Sequence, residues 1–86
     1  MKFISIGYGN SVAVERIVAL VSPESAPVKR LMQDAKEMGR IIDVSCGRKT
    51  RSVIITDSEH VILSALTTEK ISRRLEGEES SDDDDE

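Results

Sequence analysis

The chain has no tryptophan, and Phe3 and Tyr8 are its only aromatic residues. Any core must therefore be aliphatic, assembled from Ile, Val, Leu and Met. Cys46 is the single cysteine, so no internal disulfide can form, and that favours a reducing compartment. His60 is the single histidine. With no Cys or His at metal-ligand spacing, a zinc site has no support. No Ser or Cys nucleophile stands with His60 in a recognisable motif, so the expectation is a non-enzyme with no metal, cofactor or small-molecule substrate. No apolar run approaches the roughly eighteen residues that span a bilayer, and no membrane partner is expected. Met1-Lys2 leads into strand-like sequence with glycines at 7 and 9, which is unlike a signal peptide. Together these point to a cytoplasmic protein.

Eighty-six residues make one small domain. A chain of this size buries about three-fifths of its unfolded surface and is marginal alone, so self-association is expected. The formal charge of −4 conceals an asymmetry, because eight of the sixteen acids lie in 76–86, where there is no base. Residues 1–75 carry all twelve bases against the other eight acids. The chain divides into a mildly basic body, 1–75, and an acidic tail, 76–86, whose composition reads as disordered. Such a tail confers solubility or folds back onto the cationic surface of its own body.

Along the body, 2–7 reads as a strand with Phe3 and Ser5 on one side and Ile4 and Ile6 on the other. Gly7-Tyr8-Gly9-Asn10 suits a turn needing positive φ. It lacks both the P-loop Lys-Ser/Thr pair and the three-glycine dinucleotide spacing, so a structural turn is favoured over a phosphate cradle. A short turn or bulge at 11–15 leads to a strand at 16–21. Arg16 stands at its mouth as a surface residue or a partner for Glu15. Ser22 or Ser25 can cap a helix with Pro in its first turn. Val28, Leu31, Met32, Ala35 and Met38 form its apolar stripe, read as core packing, and Gly39 is its C-cap.

Two β-branched runs, 40–44 and 52–56, read as the strands of a hairpin. The turn between them, Cys46-Gly47-Arg48-Lys49-Thr50-Arg51-Ser52, puts three cations within four residues and no acid among them. Those cations repel one another unless an anion gathers them. Phosphate suits the planar fork of Arg and the point charge of Lys, while a solvated basic turn is an equally open reading. A polar turn at 56–60 then leads to a strand at 60–66, with His60 bonded to its neighbours. A closing helix follows at 67–75, capped by Thr67 or Thr68, with Ile71 and Leu75 inward. Lys70, Arg73 and Arg74 suit the negative end of its dipole. The expected fold is α+β, a small antiparallel sheet with one long helix and a short C-terminal helix.

Particular stretches carry a more specific likeness: Lys2-Phe3-Ile4-Ser5-Ile6-Gly7-Tyr8-Gly9-Asn10, Val21-Ser22-Pro23, Ser25-Ala26-Pro27, Gln33-Asp34-Ala35, and Gly47-Arg48-Lys49-Thr50-Arg51-Ser52-Val53-Ile54-Ile55-Thr56-Asp57-Ser58. Across 2–75 the chain resembles the RemA family of bacterial extracellular-matrix (biofilm) regulators. The resemblance implies a DNA-binding transcriptional regulator without a helix-turn-helix, LytTR-like in architecture, assembling into ring-shaped homo-oligomers that wrap duplex DNA. It implies that Arg16, Arg48 and Lys49 contact DNA, and Arg51 matches the last base of the same turn. The chain departs at Lys49, where the biofilm regulator has Arg; charge is kept, but bidentate reading of a guanine edge or phosphate is lost. Three or four cations per subunit are few, yet repeated around a ring they become linked contacts. Phe3 and Tyr8 both read as structural, which favours duplex DNA over unpaired bases. An RNA-binding translational regulator and a structural oligomer without nucleic acid are the alternatives.

Overall fold

A computed structural model describes residues 1–77. The chain opens with a hairpin of β1 (Phe3–Gly7) and β2 (Asn10–Ala13). Its tip is Tyr8-Gly9, with φ of 54° and 80°, the positive values at both central residues that a type I′ turn requires. Asn10 closes the tip, its side-chain amide donating to the carbonyls of Gly7 at 3.0 Å and Tyr8 at 3.1 Å. The expected positive-φ turn is therefore present, but the turn or bulge expected at 11–15 is mostly strand. Val12 and Ala13 pair with Ile4 and Phe3, and only Val14–Arg16 coils, as a 3-10 turn. The tight tip returns the chain directly into the ladder, leaving no room for a loop.

The second sheet has four strands in the order β3 (Ile17–Val21), β5 (Ser52–Thr56), β6 (Val61–Ser64), β4 (Ile41–Asp43). The β3·β5 and β5·β6 pairs are antiparallel, but β4 lies parallel to β6 at the sheet edge. The sheet is mixed, which corrects the wholly antiparallel expectation. The expected hairpin of 40–44 with 52–56 is also corrected, because β6 sits between those strands. The basic stretch is thus an arch over the end of β6, joined to it where Val44 N–H and Arg51 N–H donate to the carbonyls of Leu63 and Ser64.

Helix α1 (Ala26–Glu37) covers one face of this sheet, and the β1–β2 hairpin with α2 (Thr68–Leu75) covers the other. Ser25 is the N-cap of α1 by position, and Pro27 falls in its first turn, where its missing N–H costs nothing. Gly39, at φ 71°, ends the helix; its N–H reaches Lys36 and that of Arg40 reaches Ala35, the paired bonds of a Schellman motif. On the hairpin side Ile4, Ile6, Val12, Ile54, Ile62, Leu66 and Ile71 form the larger core cluster. On the α1 side Val28, Ala35, Val53 and Val61 form the smaller one. The stripe of α1 is only partly covered. Leu31 and Met38, read as core, are 37% and 65% exposed beside Val18 at 65%. Phe3, read as structural, is also exposed. Thr67 caps α2 by accepting from Lys70 N–H at 3.1 Å. Arg74, read as a dipole partner, is instead buried and donates to the Ser5 carbonyl at 3.1 Å. The acidic stretch from 78 onward lies outside the described residues.

Candidate nucleic-acid interface

The arch between β4 and β5 is built from both ends. Asp43, the last residue of β4, accepts from the Ser45 hydroxyl at 2.7 Å and from Ser45 N–H at 2.9 Å. These two bonds, the hydroxyl first, hold the Asp43 carboxyl below its ordinary pKa of 3.8 against a small opposing effect of burial. Ser45 is itself buried, and its carbonyl accepts from Arg48 N–H at 3.0 Å. The two residues between them, Cys46 and Gly47, have φ of 56° and 79°, a second turn of the mirror-image kind. Arg48 and Lys49 follow as exposed residues, and Arg51 is exposed just before β5. The sequence grouped these three cations correctly. The fold presents them on a braced arch in place of a hairpin tip.

Among the described residues, Arg48, Lys49 and Arg51 have no carboxylate within ion-pair reach. Arg40 and Arg73 differ, binding Glu59 at 3.1 Å and Glu69 at 2.8 Å, whereas Arg30 on α1 also has no carboxylate within reach among the described residues. Three neighbouring cations with no carboxylate in reach among the described residues repel one another, and a phosphate oxygen would relieve that repulsion.

Arg16 belongs elsewhere. It ends the 3-10 turn before β3, where its Nε donates to both carboxylate oxygens of Asp57 at 2.9 Å, so its partner is Asp57 and not Glu15. Ile17 pairs with Thr56 at the far end of β5 from Ser52. Arg16 is level with Asp57, whose N–H donates to its carbonyl, so six residues of strand rise put it about 20 Å from Arg51 at the end of the arch. The subunit thus brings together Arg48, Lys49 and Arg51 but not Arg16.

Reasoning from sequence missed Tyr8 as a neighbour of this cluster. The Arg48 guanidinium carbon lies over its ring, 5.8 Å from the centroid. A large aromatic where the backbone favours Gly or Asn was the available signal. His60 takes no part in the arch: its Nδ1 is 2.8 Å from Ser58 Oγ and its N–H donates to Thr56 Oγ1, just before β6. No group of three or more His, Cys, Asp or Glu that could hold a metal occurs among the described residues. No helix among them is long and apolar enough to cross a membrane.

Curated relatives extend over nearly the same length. A protein of Geobacillus thermodenitrificans is 58% identical over 77 residues, covering 90% of this chain and 88% of its own. One from Halothermothrix orenii is 57% identical over 81 residues, 94% of this chain and 96% of its own. One from Acetivibrio thermocellus is 55% identical over 82 residues, 95% of this chain and 88% of its own. Each bears the name "Putative regulatory protein". The family model described as extracellular matrix regulatory protein A-like matches residues 3–75. The chain belongs to the RemA-like family of regulatory proteins.

Proposed function

We propose that this chain is a cytoplasmic, DNA-binding transcriptional regulator of the biofilm-matrix type, gripping duplex DNA through Arg48, Lys49 and Arg51, with Arg16 as a second point of contact. The observation that carries the reading is the braced arch, whose three cations have no carboxylate partner among the described residues. Lys49 supplies charge without a fork, so this position serves the phosphate backbone better than a base edge. Sequence preference then comes chiefly from DNA shape and from the spacing of repeated contacts.

One subunit offers too few contacts for tight binding, and the reading includes a homo-oligomeric ring with the LytTR-like architecture that the family resemblance implies. Two exposed apolar patches support assembly. Val18, Leu31, Ala35 and Met38 line a groove of about 400 Å³ between α1 and the sheet. Phe3 projects from the hairpin layer on the opposite side, beside Met1 and Lys2. The groove is rimmed by Asp34, Asp57 and Glu59; Asp57 and Glu59 are held by Arg16 and Arg40, which leaves Asp34 as the acid that complements Lys2. Contact between unlike faces is heterologous, the kind that closes into rings.

The test is a pair of titrations with duplex DNA and single-stranded RNA of equal length, with sedimentation of the free protein. Preferential retention of duplex by an oligomer is the expected result. Preferential RNA binding would favour a translational regulator, and assembly without nucleic-acid binding would favour a structural oligomer.

A further inference from the structure

We propose that Tyr8 is a positioning residue for Arg48, fixing the guanidinium so that its donor edge is presented to the DNA; this rests on the reading of the arch as the DNA grip. Tyr8 occupies the first central position of the hairpin turn at φ 54°. There Asn or Gly meets the backbone demand at lower cost, since a side chain with a large ring is disfavoured at positive φ. Asn10 braces the turn by its two bonds to the carbonyls of Gly7 and Tyr8. The half-buried ring meets a residue forty positions further on, Arg48, at 5.8 Å. Arg48 hangs from a second positive-φ turn, itself anchored through Ser45 to Asp43. Two tight turns from distant parts of the chain thus converge on a single ring–guanidinium contact.

The chemistry of that contact suits an anion grip. The guanidinium carbon lies over the ring within cation–π reach, a contact that draws on the charge of the group and fixes its place, while its fork of N–H donors remains able to bond an oxyanion. Arg carries large rotamer entropy, and restricting it before binding removes part of the ordering cost that each phosphate contact otherwise meets. Tyr8 therefore acts through Arg48 and adds no charge of its own.

The test uses the full chain and a fluorescently labelled duplex of fixed length, read by anisotropy at two salt concentrations. It compares wild type, Tyr8→Phe, Tyr8→Asn, Arg48→Ala and the double variant Tyr8→Asn/Arg48→Ala, with thermal melting of each. Tyr8→Phe keeps the ring and is expected to bind within about twofold of wild type. Tyr8→Asn produces the Asn-Gly turn that hairpins favour, so its melting temperature is expected to equal or exceed that of wild type. Its DNA affinity is expected to fall about two- to fivefold, the range of an exposed cation–π contact. The salt slope should be unchanged because no cation is removed. The double variant should bind no more weakly than Arg48→Ala alone. Wild-type affinity in Tyr8→Asn, or additive losses in the double variant, would overturn the role of Tyr8 alone. Wild-type affinity in Arg48→Ala would overturn the reading of the arch as well.

Discussion

The two ends of the four-stranded sheet carry the same kind of residue in opposite electrostatic states. At one end Arg16 is held by both oxygens of Asp57. At the other, an acid also sits close by in sequence, but Asp43 turns its carboxylate onto Ser45 and leaves Arg48, Lys49 and Arg51 without a counter-ion among the described residues. The difference teaches that proximity of acid and base in the sequence does not decide which cations are available. The backbone decides, by choosing what each carboxylate accepts from. At the first end an acid neutralises a guanidinium. At the second it braces the backbone that presents three cations.

The largest effect should come from the element that joins the two ends. Ile54 is fully buried at the centre of β5, and Ile54→Ala should lower unfolding free energy by about 2–5 kcal/mol. Denaturant titration checks this, and both ends should lose their order together. Next, Arg48→Ala/Lys49→Ala should weaken duplex binding by about a hundredfold for each subunit engaged, taking each lost charge-assisted contact at about 1.5 kcal/mol or more. Its melting temperature should stay near wild type, because neither residue is buried.

Removing an acid should act in opposite directions at the two ends. Asp57→Ala releases Arg16, so DNA affinity should rise about two- to fivefold, while stability changes by less than about 1 kcal/mol, as for exposed ion pairs. Asp43→Ala releases Ser45 instead, so affinity should fall a few-fold despite the lost negative charge. Anisotropy titrations of the two variants measure both signs. Equal gains in affinity would mean that overall charge, and not the geometry of the arch, governs binding. The smallest effect is in pH. The folded Asp43 has a depressed pKa, so its contribution to stability is complete above the ordinary carboxylate range and is lost as pH falls through the lower folded value. Below about pH 4 the melting temperature of wild type should therefore drop more than that of Asp43→Ala.

Much of this arrangement could be read locally. The helix α1, its Gly39 terminus and the positive-φ turn at Tyr8-Gly9 each follow from neighbours within a few residues. The grouping of Arg48, Lys49 and Arg51 does too. What escaped reading depends on distant partners. The placement of β4 beside β6 rests on a ladder between residues about twenty apart, and two adjacent β-branched runs look alike as a hairpin or as strands separated by a third. Arg16 meets an acid forty-one residues away, and Arg74 finds the Ser5 carbonyl across sixty-nine. Periodicity put Leu31, Ala35 and Met38 on one stripe, and all three line the same groove. It could not reveal that Leu31 and Met38 stay exposed there beside Val18. Tyr8 was visible as a turn residue, but its contact with Arg48 depends on two turns meeting in space.

The central claim is that the cations of the arch, which have no carboxylate partner among the described residues, make the contacts with DNA phosphates, and the salt dependence of binding tests it most directly. The slope of log affinity against log salt should become shallower in Arg48→Ala/Lys49→Ala by about 0.9 for each phosphate contact removed, multiplied by the number of subunits engaged. An unchanged slope and affinity in that variant, with its fold and assembly intact, would contradict the account.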